Sequence, residues 1–131
     1  GTLLDLLFPH TIASSLTEEH SQIQKGKGFS LAYALDGESG GELNFAACLS
    51  DEISGRKMDI YTNQQSVQVY NGYFMDGTDI GKGGTPYYAS AGIAIETQGY
   101  PDAPNQPSFS SILIDKVEKY RHITEYCFLS D

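Results

Sequence analysis

Short alternating runs of apolar and polar residues, broken by glycine- and proline-rich turns, constrain this chain more than any other feature. Leu43, Phe45, Ala47 and Leu49 alternate with Asn44, Ala46, Cys48 and Ser50, the period of two expected of a half-buried strand. Ahead of them, Asp36-Gly37-Glu38-Ser39-Gly40-Gly41 is a turn cluster, and residues 29–35 form the partner strand of a hairpin. A second hairpin is expected from residues 57–63 and 66–73. Further strands are expected at 90–97, 111–117 and 122–129. Thr11-Ile12-Ala13-Ser14 leads into Leu16, His20 and Ile23 at helical spacing, with Glu18 and Glu19 in the first turns. This pattern gives one short helix near the N-terminus, ending before Gly26 and Gly28. The expectation is an all-β chain, an antiparallel β-sandwich in which a single domain spans residues 1–131.

Charge and apolar patterning remove several function classes. The 131 residues carry 17 acidic and 8 basic side chains, a net charge of -9. A surface built to neutralise phosphates needs the opposite balance, so nucleic acid is not an expected partner, and neither is an anionic membrane. No apolar run approaches the ~18 residues of a membrane span, and Glu96 ends the longest one, Gly92-Ile93-Ala94-Ile95. The start lacks the basic region and cleavage site of a secretory signal, so the expected location is the cytoplasm. Gly1 stands where a Met start would, as in a processed, tagged or excised chain. Cys48 and Cys127 lie in unrelated segments without metal-ligand spacing, so no metal is expected. One disulfide and two buried thiols are both compatible with them.

Two loops are longer than simple turns. Residues 76–88 are glycine-rich around Lys82, and residues 99–107 hold Pro101, Pro104 and Pro107. Proline fixes φ and removes a backbone donor, which makes the second loop stiff. Gly81-Lys82-Gly83-Gly84 is not a phosphate loop, because Gly77 is one residue too close and Gly83 replaces the Ser/Thr that would bind Mg²⁺. Lys25-Gly26-Lys27-Gly28 reads as a turn with two solvated lysines. Glu96 shares a strand face with the small residues Ala94 and Gly92, so its carboxylate could sit in a pocket and serve as a general base; solvent exposure on a one-sided sheet is the alternative. Gln68 and Tyr70 share a strand face and could read sugar hydroxyls, or simply face water. His10, His20 and His122 have no Ser/His/Asp spacing, and structural or solvated roles are expected for them.

The run Gly92-Ile93-Ala94-Ile95-Glu96-Thr97-Gln98-Gly99-Tyr100-Pro101-Asp102-Ala103-Pro104-Asn105-Gln106-Pro107 resembles the C-terminal signature of aldose 1-epimerases, the galactose mutarotases. The resemblance extends upstream through Val67-Gln68-Val69-Tyr70-Asn71-Gly72, Asp76-Gly77 and Gly81-Lys82-Gly83-Gly84, and downstream to Tyr120-Arg121-His122, Thr124 and Phe128. Asp5, the stretch from Pro9 to Ile12, and Gly28-Phe29 follow the family order too. It implies a galactose mutarotase type of antiparallel β-sandwich that interconverts α and β anomers of free hexoses, such as galactose or glucose, with no cofactor or metal. It also implies that Glu96 is the general base and that Gln68 hydrogen-bonds the sugar.

The same resemblance implies an incomplete site. It covers only the C-terminal part of the family. The acid histidine, a second sugar-binding histidine and an Asn-Arg pair belong to the N-terminal part, and His10, His20 and His122 match none of them. Where the family has an Asp-His-Asn run after Gly-Phe, this chain has Ser30-Leu31-Ala32, and a serine cannot supply a bidentate carboxylate. The isolated chain is therefore expected to be weak or inactive in epimerisation. Part of a two-sheet sandwich leaves strand edges and apolar surface open, so self-association, a separate N-terminal half or a rearranged smaller sandwich is expected. A noncatalytic carbohydrate-binding or regulatory module is the alternative function, and a degenerate remnant without sugar binding is a third reading.

Overall fold

In the computed structural model, residues 4–16, 20–37, 40–117 and 119–130 are described. The elements in chain order are α1 (Ile12–Leu16), α2 (Ser21–Gly26), β1 (Ser30–Ala34), β2 (Asn44–Asp51), β3 (Arg56–Thr62), β4 (Ser66–Tyr70), β5 (Asp76–Ile80), β6 (Pro86–Tyr88), β7 (Ala94–Gln98), a 3₁₀ turn (Ala103–Asn105) and β8 (Thr124–Ser130). The fold is all-β, mostly antiparallel strands in open sheets with few short helices, as the alternation requires. The sheets run β1-β4-β7, β2-β3-β8 and β5-β6. The chain divides into two compact units, Gly1–Leu31 with Gln68–Ile95, and Ala32–Val67 with Glu96–Asp131.

In the first unit the expected single helix is instead two, α1 and α2; Glu18 and Glu19 lie outside the described residues. His20 caps α2, its Nδ1 accepting the Gln22 N–H at 3.2 Å. The helix ends at Lys27, which is left-handed at φ 52°. Gly28 follows at φ 138°, where an added Cβ would lie 2.5 Å from the Asn71 carboxamide oxygen. Glycine is required there twice over, by its backbone angle and by the buried Asn71. Residues 76–88, expected as a loop, form the hairpin β5–β6. Gly81 donates to the Thr85 carbonyl at 2.9 Å and Gly84 turns at φ 76°, so the glycine-rich run closes a hairpin.

The second unit is built on β2-β3-β8. Both expected hairpins that use residues 29–35 and 66–73 are absent, because β1 and β4 belong to one sheet and β2 and β3 to another. The turn missed in the sequence lies after Asp51. Its Oδ1 accepts from the Ile53 N–H at 3.2 Å and its Oδ2 from the Ser54 hydroxyl at 2.6 Å, with Gly55 at φ 67°. That side-chain turn closes β2 onto β3.

A bulge between Phe45 and Ala47 then breaks the alternation. Phe45 opposes Tyr61, meeting its ring edge-on at 5.7 Å, while Ala47 opposes Ile60, which is 0% exposed. The extra residue turns Phe45 away from Ala47 and Leu49, leaving it 55% exposed. Residues 111–117 form no strand either. The Ser111 hydroxyl accepts the Leu113 N–H at 3.1 Å and Asp115 accepts the Val117 N–H at 3.3 Å, so local side chains take donors that a ladder would need. Leu113 and Val117 are left 83% and 87% exposed.

Asn63, just past β3, ties the far end of the unit down. It is buried, donates from Nδ2 to the Arg121 carbonyl at 2.8 Å and accepts the Ile123 N–H at Oδ1 at 2.9 Å. Its own N–H reaches the Ile123 carbonyl at 3.3 Å, where the Thr62 hydroxyl also donates, at 2.9 Å. One amide side chain thus stands in for a strand partner. Replacing it with alanine removes both bonds from part-buried backbone groups, so Asn63→Ala should cost about 1–3 kcal/mol, read as a lower urea midpoint.

The register also decides the cysteines. Cys48 and Cys127 both pair with Asp59, one from each side of β3. Two strand spacings put their backbones about 9.6 Å apart, beyond the roughly 7 Å that a disulfide spans. Partial burial and then Asp59 push the Cys48 thiol above its ordinary pKa, and a hydrogen bond to Glu125 does the same for Cys127. Thiol titration of the oxidatively untreated chain should find both cysteines free, before and after unfolding; loss of both signals without a dimer would contradict this register.

Candidate functional site

Glu96 sits in the middle of β7, the first residue of the second unit's last segment. Its side chain is exposed, which agrees with the solvent-facing one of the two readings of the sequence. Neither carboxylate oxygen has a hydrogen-bond or ion-pair partner among the described residues. Both are free to accept a proton.

The backbone beyond Glu96 is held firmly. The buried Ser66 hydroxyl lies 3.0 Å from the carbonyls of Gln98 and of Gly99. The Thr97 hydroxyl lies 2.8 Å from His122 Nε2 and 2.6 Å from the Thr124 hydroxyl. Successive strand residues face opposite ways, so this cluster sits behind Glu96. The sequence does not show Thr97 meeting His122 and Thr124, because Thr97 stands 25 and 27 residues from them and acquires the relation only through the fold.

The proline-rich segment beyond β7 is stiffened by more than proline. Asp102 is left-handed at φ 62° and accepts from Asn105 Nδ2 at 2.6 Å and from Gln106 Nε2 at 2.8 Å. These two bonds hold the Asp102 carboxyl below the usual 3.8. Tyr100 packs against Phe109 with ring centroids 5.0 Å apart. In the same unit lies an open cleft of about 440 Å³, lined by Ala32, Tyr33, Ser66, Tyr100 and Phe109 among others.

In the first unit, Gln68 is half-buried on β4, and Ser30 is exposed at the start of β1. Tyr70 accepts the Phe74 N–H at its hydroxyl, 3.0 Å away, and lines a smaller hollow of about 240 Å³ with Met75 and Ile93. The Lys27 ammonium lies 5.8 Å and 5.9 Å from the Tyr73 and Phe74 ring centroids, so this exposed lysine also rests near aromatic faces. His10 is exposed. Among the described residues no group of three or more His, Cys, Asp or Glu side chains could hold a metal ion, and no helix is long and apolar enough to cross a membrane.

Residues 5–127 match the family described as Aldose 1-epimerase. The chain belongs to the aldose 1-epimerase family. Galactose mutarotase of Bos taurus is 39% identical over 128 residues, covering 98% of this chain and 35% of the relative. The Homo sapiens galactose mutarotase is 38% identical over the same shares. Aldose 1-epimerase of Escherichia coli (strain K12) is 30% identical over 133 residues, covering 100% of this chain and 38% of the relative. The chain therefore spans little more than a third of the length of these family members.

Asp102 generates a pH test. Its folded pKa is depressed, so the order it confers is complete above the unfolded carboxylate pKa and is lost as pH falls through the lower folded value. Amide exchange at Asn105 and Gln106, corrected for its intrinsic pH dependence, should lose protection below about pH 4. Asp102→Ala should show the reduced protection already at neutral pH.

Proposed function

We propose that this chain contributes to anomer interconversion of a free aldohexose, with Glu96 as general base and Gln68 as a hydrogen-bond partner of the sugar. The observation that carries the reading is the family match over residues 5–127, whose bounds enclose both residues. The exposed, unpartnered carboxylate of Glu96 supports it, since a base must have an oxygen free to take a proton. Glu96 removes the proton of the C1 hydroxyl as an acid protonates the ring oxygen, and the C1–O5 bond breaks to give the open-chain aldehyde. Rotation about C1–C2 and reclosure by the reverse transfers yields the other anomer.

The acid is not His122. That imidazole is bonded to Thr97, on the side of β7 away from Glu96, and cannot protonate the oxygen of a sugar whose hydroxyl Glu96 holds. The acid comes from a further segment of the family fold, on this polypeptide or on a separate one. The exposed apolar side chains of Ile112, Leu113, Ile114 and Val117 support such association. The reaction is assigned to the cytoplasm, where Cys48 and Cys127 stay reduced.

A noncatalytic sugar-binding module is the second reading. Ser30 in place of a sugar-binding carboxylate and the Tyr100–Phe109 pair at the cleft favour it. Polarimetry of freshly dissolved α-D-galactose separates the two. With an N-terminal portion of galactose mutarotase added, the chain should accelerate mutarotation above the spontaneous rate, and Glu96→Gln should abolish the acceleration. Galactose binding without acceleration, unchanged in Glu96→Gln, would instead establish the module.

A further inference from the structure

We propose that His122 is a positioning residue for Glu96, acting through Thr97; the proposal rests on the reading of Glu96 as the base. His122 Nε2 lies 2.8 Å from the Thr97 hydroxyl and 3.2 Å from that of Thr124, and the two hydroxyls are 2.6 Å apart. The three groups form a closed triangle. Each hydroxyl brings one proton, so two of these contacts can be hydrogen bonds at once with Nε2 as an acceptor: one hydroxyl donates to the imidazole and the other to its fellow hydroxyl.

What makes the imidazole an anchor is the rigidity behind it. Asn63, 2% exposed, grips the Arg121 carbonyl and the Ile123 N–H, the backbone groups on either side of His122. The Tyr120 ring stands edge-on to the imidazole, 6.3 Å between centroids, and its hydroxyl reaches Gln64 at 3.4 Å. Fixed in this way, the imidazole holds Thr97, and Ser66 holds the next two carbonyls. Glu96 itself is exposed and has no partner among the described residues, so what the anchor fixes is the backbone that carries it and the direction of its Cα–Cβ bond. A base that must meet one hydroxyl proton gains rate from that fixed direction, because misplacement by about 1 Å is costly.

The test compares His122→Phe, His122→Gln and Thr97→Val in the full chain. Amide exchange at Thr97 and Gln98 and the Glu96 Cδ NMR resonance are followed in each. Removing the anchor should speed exchange at these two amides about tenfold and broaden or shift the Glu96 resonance. His122→Gln should restore both, because its amide can donate to and accept from the two hydroxyls. The double variant His122→Phe with Thr97→Val should add nothing to either single one. Where turnover with the N-terminal portion is measurable, His122→Phe should lower kcat and leave KM unchanged.

Unaltered exchange and an unaltered Glu96 signal in His122→Phe would overturn the proposal, as would additive effects in the double variant. Failure of the base reading is seen separately, as turnover that Glu96→Gln does not reduce. The exchange and NMR measurements decide the anchor in either case.

Discussion

The second unit depends on one buried side chain amide. Asn63 lies where β3 ends and the chain must leave its sheet, and it bonds to the backbone on both sides of His122. An amide suits this place because it donates and accepts in one plane, as a peptide group does. Thr62 reinforces it from the preceding position, and Tyr120 reaches the neighbouring Gln64. Buried polar groups cost free energy unless they are satisfied, and satisfied ones specify a single arrangement. The segment just before β8 is held in this way, ahead of the point where Thr124 pairs with Thr62.

Strand alternation carries that constraint to the chemistry. Glu96 and Thr97 are neighbours in β7 and face opposite ways, so one residue meets solvent while the next bonds to His122 and Thr124. The same rule explains Phe45. A single extra residue in β2 moves its ring from the side of Ile60 to the side of Tyr61. A period of two leaves no intermediate outcome, so a bulge either keeps a side chain on its face or sends it to the other one.

The chain spans 35% of the length of its mammalian relatives. Large apolar side chains stand exposed at Ile112, Leu113, Ile114, Val117 and Phe128. Single exposed apolar residues are ordinary, and the four between 112 and 117 stand out as a run. Local hydrogen bonds from Ser111 and Asp115 keep that run out of regular structure. A sequence that reads as a strand therefore remains unpaired in this chain.

Alternation and turn composition in the sequence determined the all-β class and the approximate extents of β1, β2, β3, β4, β7 and β8, because those signals are local. The residues around Glu96 and Gln68 carried the family for the same reason: a motif is contiguous and can be read without coordinates. Pairing was not local. The Asp51 turn joins two strands that pair, whereas the strands on either side of the glycine cluster before β2 belong to different sheets. The separation of Cys48 from Cys127 by a full strand, the exposure of Glu96, and the meeting of Thr97 with His122 depended on register and long-range packing. Those properties belong to residues distant in the chain, and only tertiary structure brings such residues within bonding distance.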